Sequence, residues 1–340
     1  MKENQSKKME QIELTIIAPM YNEEENVEST FYSILETMRD FKRPWELIFV
    51  NDGSTDNTLS MARKLEKSHP RLRVISYKPN MGRGYALRTG FKNARGDYII
   101  TIDFDLSYHP EHIIKLYKAL KEDESVDVVL GSPYMAGGKT VGVPKKRLII
   151  SKLSNKFINI FFPADIKTST CILRGYKKDV INSLELESND KEIHLEILSK
   201  LLTLGYKVKE IPATLQVRKK GTSKFDFFSF IKSHLEYSLF ERPAILFGII
   251  GLISLLLGIF FGVMLFYDYI QNQLNPERPL INAVIVLLVA GTQILIFTIL
   301  TLQISGLRKE ILRIQVENKE ILKHVGKYPG KKEGEETWER

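Results

Sequence analysis

With 340 residues, 44% of them apolar, the chain is long enough for one large domain or two ordinary ones and has ample material for a core. Its single cysteine, Cys171, excludes an intramolecular disulfide and fits a cytosolic setting. The formal charge of +8 suits an anionic membrane surface or phosphate-bearing substrates, and no nucleic-acid-binding motif supports the rival explanation.

In chain order, residues 1–11 are a polar tail without the apolar stretch that a signal peptide carries. Within a domain expected over 12–224, residues 12–215 alternate short β-rich runs with helix-like stretches. "LTIIAPM" precedes "NEEENVESTFYSILETMRDF", "ELIFVNDGS" precedes "TDNTLSMARKLEKS", and "LRVISYK" precedes "GYALRTGFKNA"; "DYIITIDFD", "PEHIIKLYKALKE" and "VDVVLGS" follow. That rhythm predicts βα units on a mostly parallel sheet. Residues 225–243, "FDFFSFIKSHLEYSLFERP", mix aromatic residues and charges as an interfacial amphipathic helix does, or as a helix packed on the domain would. Residues 244–267 and 280–304 hold no charge, and a membrane-spanning helix needs about 20 such residues; the alternative is a pair of buried core helices. The connector 268–279 has one Arg, whereas the tail 306–340 has nine Lys and Arg, and "VRKKGTSK" ahead of the first span is also basic. The positive-inside bias places both ends in the cytosol and the connector outside. In the tail, Leu307, Ile311, Ile314, Asn318, Ile321 and Val325 follow the a/d spacing of a coiled coil, with Asn318 at an a position. This predicts a homo-oligomer; a single amphipathic helix on the membrane or the domain fits the same spacing.

Ligands of parallel sheets bind beyond the carboxyl ends of the strands, so the polar residues there are the candidate site. Asp52, before a Gly-Ser turn, could accept a hydrogen bond from a base N–H or cap the following helix. Asp103 and Asp105 suit a hard divalent cation bridging diphosphate oxygens. The glycines of "GRGYALRTG" do not have the dinucleotide spacing, and there is no Walker A sequence, so nicotinamide and P-loop chemistry are not expected.

Taken together, "IIAPMYNEEENV", "VNDGSTDNT", "NMGRGYALRTGF", "ARGDYIITIDFDLSYHPE" and "EIPATLQVRKKGTSKF" resemble, in order, family 2 glycosyltransferases of the GT-A fold, within the dolichyl-phosphate mannose synthase and polyprenyl-phosphate glycosyltransferase group. The resemblance implies that Pro19, Tyr21, Glu23 and Asp52 hold the nucleoside and that Asp103 and Asp105 hold Mg2+ or Mn2+ and the diphosphate. Arg147 is matched to an acceptor-phosphate arginine, Arg218, Ser223 and Lys224 to a loop closing over donor and acceptor, and Glu196 to a glutamate near the sugar. Three positions depart from the pattern: Ser107 replaces a Gln, Pro133 an Arg, and Ser169 a Gly. They surround the sugar and the acceptor, so the reaction class stands and the sugar is left open.

The expected activity is metal-dependent, inverting transfer of one sugar from a nucleoside-diphosphate donor such as GDP-mannose or a UDP-hexose to a dolichyl or undecaprenyl phosphate at the membrane. Asp105, Arg147, Arg218 and Lys224 form the catalytic set. The alternatives are transfer to a hydroxyl acceptor, for which Asp190 is the candidate base, and an inactive membrane scaffold. Of the histidines, His194 reads as a helix-face residue and His109 as a neighbour of the metal motif.

Overall fold

The computed structural model describes residues 11–144, 148, 151, 166–217, 243–273, 275 and 277–324. The first half alternates as expected: β1 (Leu14–Met20), α1 (Val27–Thr37), β2 (Trp45–Asp52), α2 (Thr58–Ser68), β3 (Leu72–Tyr77), α3 (Arg83–Asn93), β4 (Tyr98–Thr101), α4 (Glu111–Glu122) and β5 (Val128–Ser132). Then come β6 (Lys139–Val141), β7 (Arg174–Lys177), α5 (Lys178–Ser183), α6 (Ile193–Leu204), β8 (Val208–Pro212) and β9 (Thr214–Gln216), followed by two long helices, α7 (Pro243–Ile270) and α8 (Pro279–His324).

Seven strands form one sheet in the order β3-β2-β1-β4-β7-β5-β8, with every pairing parallel except those of β7, which runs against β4 and β5. β6 and β9 make a small parallel pair beside it. Strands of a sheet covered on both faces are apolar throughout rather than alternating, and Leu47–Val50 of β2 and Ile99 and Ile100 of β4 are accordingly buried without interruption. Glu46 is the exception inside β2. Its carboxylate accepts from Thr15 Oγ1 (2.9 Å), the Arg95 amide (2.8 Å) and Arg73 Nη1 (2.9 Å), so a buried charge is paired and fully hydrogen-bonded at the end of the sheet remote from the candidate site.

α7 and α8 form an antiparallel hairpin, and both are long and apolar enough to cross a membrane. Glycines set their approach: a Cβ on Gly258 would come 2.8 Å from Leu288 Cδ2, and one on Gly291 would come 2.9 Å from the Leu255 amide nitrogen. Ser254 Oγ adds a hydrogen bond to the Leu287 carbonyl across the pair (3.0 Å). Small residues at a close crossing and polar bonds across it are how helices associate in lipid. α8 continues without a break past residue 304, so the second expected span and the start of the tail are one helix. Of the expected interfacial helix 225–243, all but Pro243 lies outside the described residues.

Candidate active site

The strand order reverses between β1 and β4, whose neighbours lead away in opposite directions. At such a switch point the loops after the two strands part and leave a crevice. A cleft of about 500 Å³ opens there, lined by Pro19 near the end of β1, Tyr21 and Glu23 after it, Asp52 at the end of β2, and Asp103 and Asp105 after β4.

The loop after β1 is zipped to the one after β2. Asn22, in the left-handed region at φ 52°, donates its amide to Ser54 Oγ (3.0 Å) and accepts from the Thr55 amide (2.8 Å). The Glu23 amide donates to Thr58 Oγ1 (2.8 Å), and Asn57 N donates to Glu24 Oε2 (3.0 Å). These bonds hold residues 22–24 in the loop, and α1 starts at Val27, later than the polar run predicts. Asp56 closes the zipper, accepting from the amides of Thr58 and Glu24. Burial pushes its carboxyl up, but the hydrogen bonds from Thr58 and these amides outweigh that and hold it below the usual carboxylate range.

Asp52 lines the cleft and also has a role that its place in the sequence does not announce. It is buried, and its two oxygens accept from Asn80 Nδ2 (3.0 Å), the Met81 amide (2.7 Å) and the Gly82 amide (3.0 Å), fastening the turn before α3. Capping of α2 falls to Asp56 instead. The glycines of "GRG" then have a packing role. The Gly84 amide donates to the Asn189 carbonyl at 2.7 Å, and a Cβ on Gly82 or Gly84 would stand 2.4 Å from the carbonyl oxygens of Asn189 or Ser188. The 188–190 loop thus lies against the start of α3 and brings Asp190 and Lys191 to the cleft.

β4 ends at Thr101, and Asp103–Leu106 turn away from the sheet, with Leu106 at a positive φ of 54°. Asp105 Oδ1 accepts from both the amide (2.9 Å) and the hydroxyl (2.5 Å) of Ser107. The substitution of Ser for the pattern's Gln therefore gives Asp105 a clamp on one oxygen. Arg83, which sequence reading passed over, places Nη1 3.9 Å from Asp103 Oδ1. The Ser107 carbonyl in turn accepts from Gln216 N (2.9 Å), tying the motif to β9. Among the described residues no group of three or more His, Cys, Asp or Glu could cage a metal by itself. Two carboxylates offering hard oxygen donors do fit an ion such as Mg2+, which takes one or two carboxylates and completes its shell with water and substrate phosphate.

The far wall rests on a buried cation. Arg174 of β7 is fully buried and donates to the carbonyls of Cys171 (2.8 Å), His194 (2.9 Å) and Ser169 (2.6 Å), so one guanidinium holds the 169–171 turn and the start of α6 together. Thr168, Thr170 and Cys171 line the cleft from this turn, and burial pushes the Cys171 thiol up. His194 is not an outer helix-face residue: it is buried and lines the cleft, whereas His109 is exposed and does not. Glu196 stands behind the cleft. It accepts from the amides of Glu187 (2.9 Å) and Ser188 (2.8 Å) and pairs with Lys200 (2.6 Å), bracing the 185–190 loop. Burial raises the Glu196 carboxyl, and the bonds from Lys200 and the two amides bring it below the usual range.

Pro19, Tyr21, Glu23, Asp52, Asp103 and Asp105 therefore converge on one cleft. Arg147, Arg218, Ser223 and Lys224 lie outside the described residues. A mostly parallel α/β sheet, with a D-x-D pair beside the cleft at its switch point, is the GT-A arrangement. Residues 15–184 match glycosyl transferase family 2, and the chain belongs to that family and is a glycosyltransferase. It is 32% identical over 255 residues to dolichol-phosphate mannosyltransferase of Pyrococcus furiosus, covering 73% of this chain and 70% of that protein. It is 27% identical to the putative glycosyltransferase CsbB of Bacillus subtilis, over 84% of this chain and 85% of that one. Among solved structures, glucosyl-3-phosphoglycerate synthase from Mycobacterium tuberculosis, crystallised with Mn2+, UDP and phosphoglyceric acid, aligns at a TM-score of 0.54 and 19% identity. The alignment spans 67% of this chain and 78% of that one, a likeness of fold.

Proposed function

We propose that the protein transfers one sugar, with inversion, from a nucleoside-diphosphate donor to a polyprenyl phosphate at the cytoplasmic face of a membrane. The observation that carries this reading is the meeting of Asp52, Asp103 and Asp105 in one switch-point cleft, in a chain similar to a dolichol-phosphate mannosyltransferase. Pro19, Tyr21, Glu23 and Asp52 take the nucleoside, with Asp52 also holding the 80–82 turn against which the base lies. Asp103 and Asp105 are the residues to hold Mg2+ or Mn2+, which when bound supplies positive charge for the departing diphosphate. Ser107 fixes the rotamer of Asp105, and Arg83 keeps a cation beside Asp103.

A phosphate monoester has a second pKa near about 6, so the acceptor arrives at neutral pH already largely as the attacking anion and needs no general base. The enzyme has to orient that anion and offset its charge, which guanidinium groups do through paired N–H donors. Arg147 and Arg218 are assigned this role, with Lys224 assisting and Ser223 on the donor side of the same loop. Transfer to a hydroxyl has one observation in its favour, since Asp190, a candidate base, lines the cleft.

α7 and α8 anchor the enzyme, with residues 12–224 as the catalytic domain, both ends cytoplasmic and 268–279 outside. Past the membrane Leu307, Ile311, Ile314 and Ile321 are more than half exposed. Two copies sharing a bilayer present these helices in parallel, the geometry in which an a-position residue such as Asn318 meets its own copy. A second copy is therefore the partner assigned to that stripe, and an unchanged detergent-solubilised oligomer after deletion of 306–340 rules it out.

The deciding experiment incubates membranes holding the protein with labelled nucleotide sugars, polyprenyl phosphate and Mg2+ or Mn2+, then extracts lipid. Label in a polyprenyl-phosphate sugar is the expected result. Label only in hydroxyl-linked product establishes the second reading, and no label from any common donor overturns both.

A further inference from the structure

Beyond residue 304, α8 does not simply trail into solvent. Its face carrying Leu312, Val316 and Lys319 is partly buried, and here the helix touches α5 and α6 of the catalytic domain. Lys319 Nζ lies 2.5 Å from Glu185 Oε1 and 3.4 Å from each of the carbonyls of Asn182 and Ser183, which end α5. A cation at the C-terminal carbonyls of a helix is favourably placed. The Lys319 side chain is 18% exposed and that of Glu185 56%, so the ammonium is shielded while the carboxylate also faces solvent. Glu185 opens the loop that Glu196 and Lys200 brace from inside, the Lys200 ammonium reaching the Glu185 carbonyl.

We propose that α8 is a stalk that holds the cleft at a fixed height and rotation above the bilayer, with Lys319 as the positioning residue that locks it to α5. A helix rises 1.5 Å per residue, which puts Lys319 about 22 Å along the axis from Ile304. The chain itself runs from the domain to α7 through residues 218–242. The α8 contact is a second attachment. The inference rests on the reading of the acceptor as a lipid phosphate. That phosphate is confined to the bilayer surface, so a domain of fixed orientation meets it without first losing rotational freedom. A water-soluble acceptor enters the cleft whatever the domain's orientation.

The test uses the full chain in nanodiscs with one donor and two acceptors, a long-chain polyprenyl phosphate in the bilayer and a short, water-soluble isoprenyl phosphate. The variants are K319E and E185K. Each is expected to lower turnover on the embedded acceptor about 5- to 10-fold, while turnover on the soluble acceptor and the donor KM stay within about twofold. Equal loss on both acceptors, or no loss on the embedded one, would overturn the stalk. A wild type that labels neither lipid phosphate overturns the acceptor assignment instead. Amide hydrogen exchange over residues 178–188 then decides the stalk by itself: at least about threefold faster exchange in K319E supports it, and unchanged exchange refutes it.

Discussion

Leu47–Val50 of β2 are buried on both faces of the sheet, whereas the equally apolar Leu252, Ile253, Leu256 and Phe260 of α7 are about half exposed or more. The difference separates a core closed on itself from a pair of helices whose apolar side chains face outward. In the α/β domain large side chains point inward and polar groups are tolerated inside only when paired, as Glu46 is by Thr15, Arg73 and the Arg95 amide. In the hairpin, large apolar side chains point outward, and the contact is made by Gly251, Ser254, Gly258 and Gly291. Burial of apolar surface drives the first; close backbone approach sustains the second.

That contrast can be broken most strongly from the domain side. Glu46→Ala leaves the Thr15 hydroxyl and the Arg95 amide without this acceptor and Arg73 with the Asn93 carbonyl, and the expected loss is about 2–3 kcal/mol, read by denaturant unfolding. Asp105→Ala is expected to leave the melting temperature nearly unchanged and lower kcat about 10²–10³-fold, comparable to losing a group that stabilises developing charge. Retained transfer of labelled sugar in that variant would remove Asp105 from the metal site. In the hairpin the polarity of the rule reverses, so a larger apolar residue is the damaging change. Gly258→Leu should drive a side chain into Leu288 and cost about 1–3 kcal/mol in detergent thermal stability, while donor affinity stays within about twofold.

The smallest effect concerns His112, which is buried in the first turn of α4 and accepts from the Thr214 amide through Nε2 (3.1 Å). Burial, with Lys115 and His109 adding to it against the opposing pull of Glu111, lowers its pKa from 6.5 to about 4. Between those values the unfolded chain takes up a proton that the folded chain refuses, so stability falls as pH drops through that window. His112→Gln should flatten the dependence of melting temperature on pH between 6.5 and about 4; an unaltered slope would place the titration elsewhere.

The βα alternation, the two apolar segments and the strand-end carboxylates could be read from the chain because each is a local signal: short apolar runs between helix-like stretches, a long uncharged run, an acidic residue close after an apolar strand. Asp103 and Asp105 reach the cleft for that reason, and so do Tyr21 and Glu23. Short-range reading failed where a residue's job depends on a distant segment. That Asp52 also fastens a turn about 30 residues on is announced by no local signal. Gly82 and Gly84 matched no phosphate fingerprint because their partner is the 188–190 loop, a hundred residues later. β7 is only four residues long, runs antiparallel between β4 and β5, and has no turn signal joining it to either.

What the sequence by itself determined, then, is the class of sheet, the acidic ends of its strands and two stretches that water would not solvate, since periodicity and composition act along the chain. The tertiary structure alone decided that Arg174 knits the far wall together, that Ser107 clamps Asp105, that His194 faces the cleft and that Lys319 reaches α5. Each of these is a hydrogen bond, an ion pair or a burial whose surroundings come together only once the fold exists.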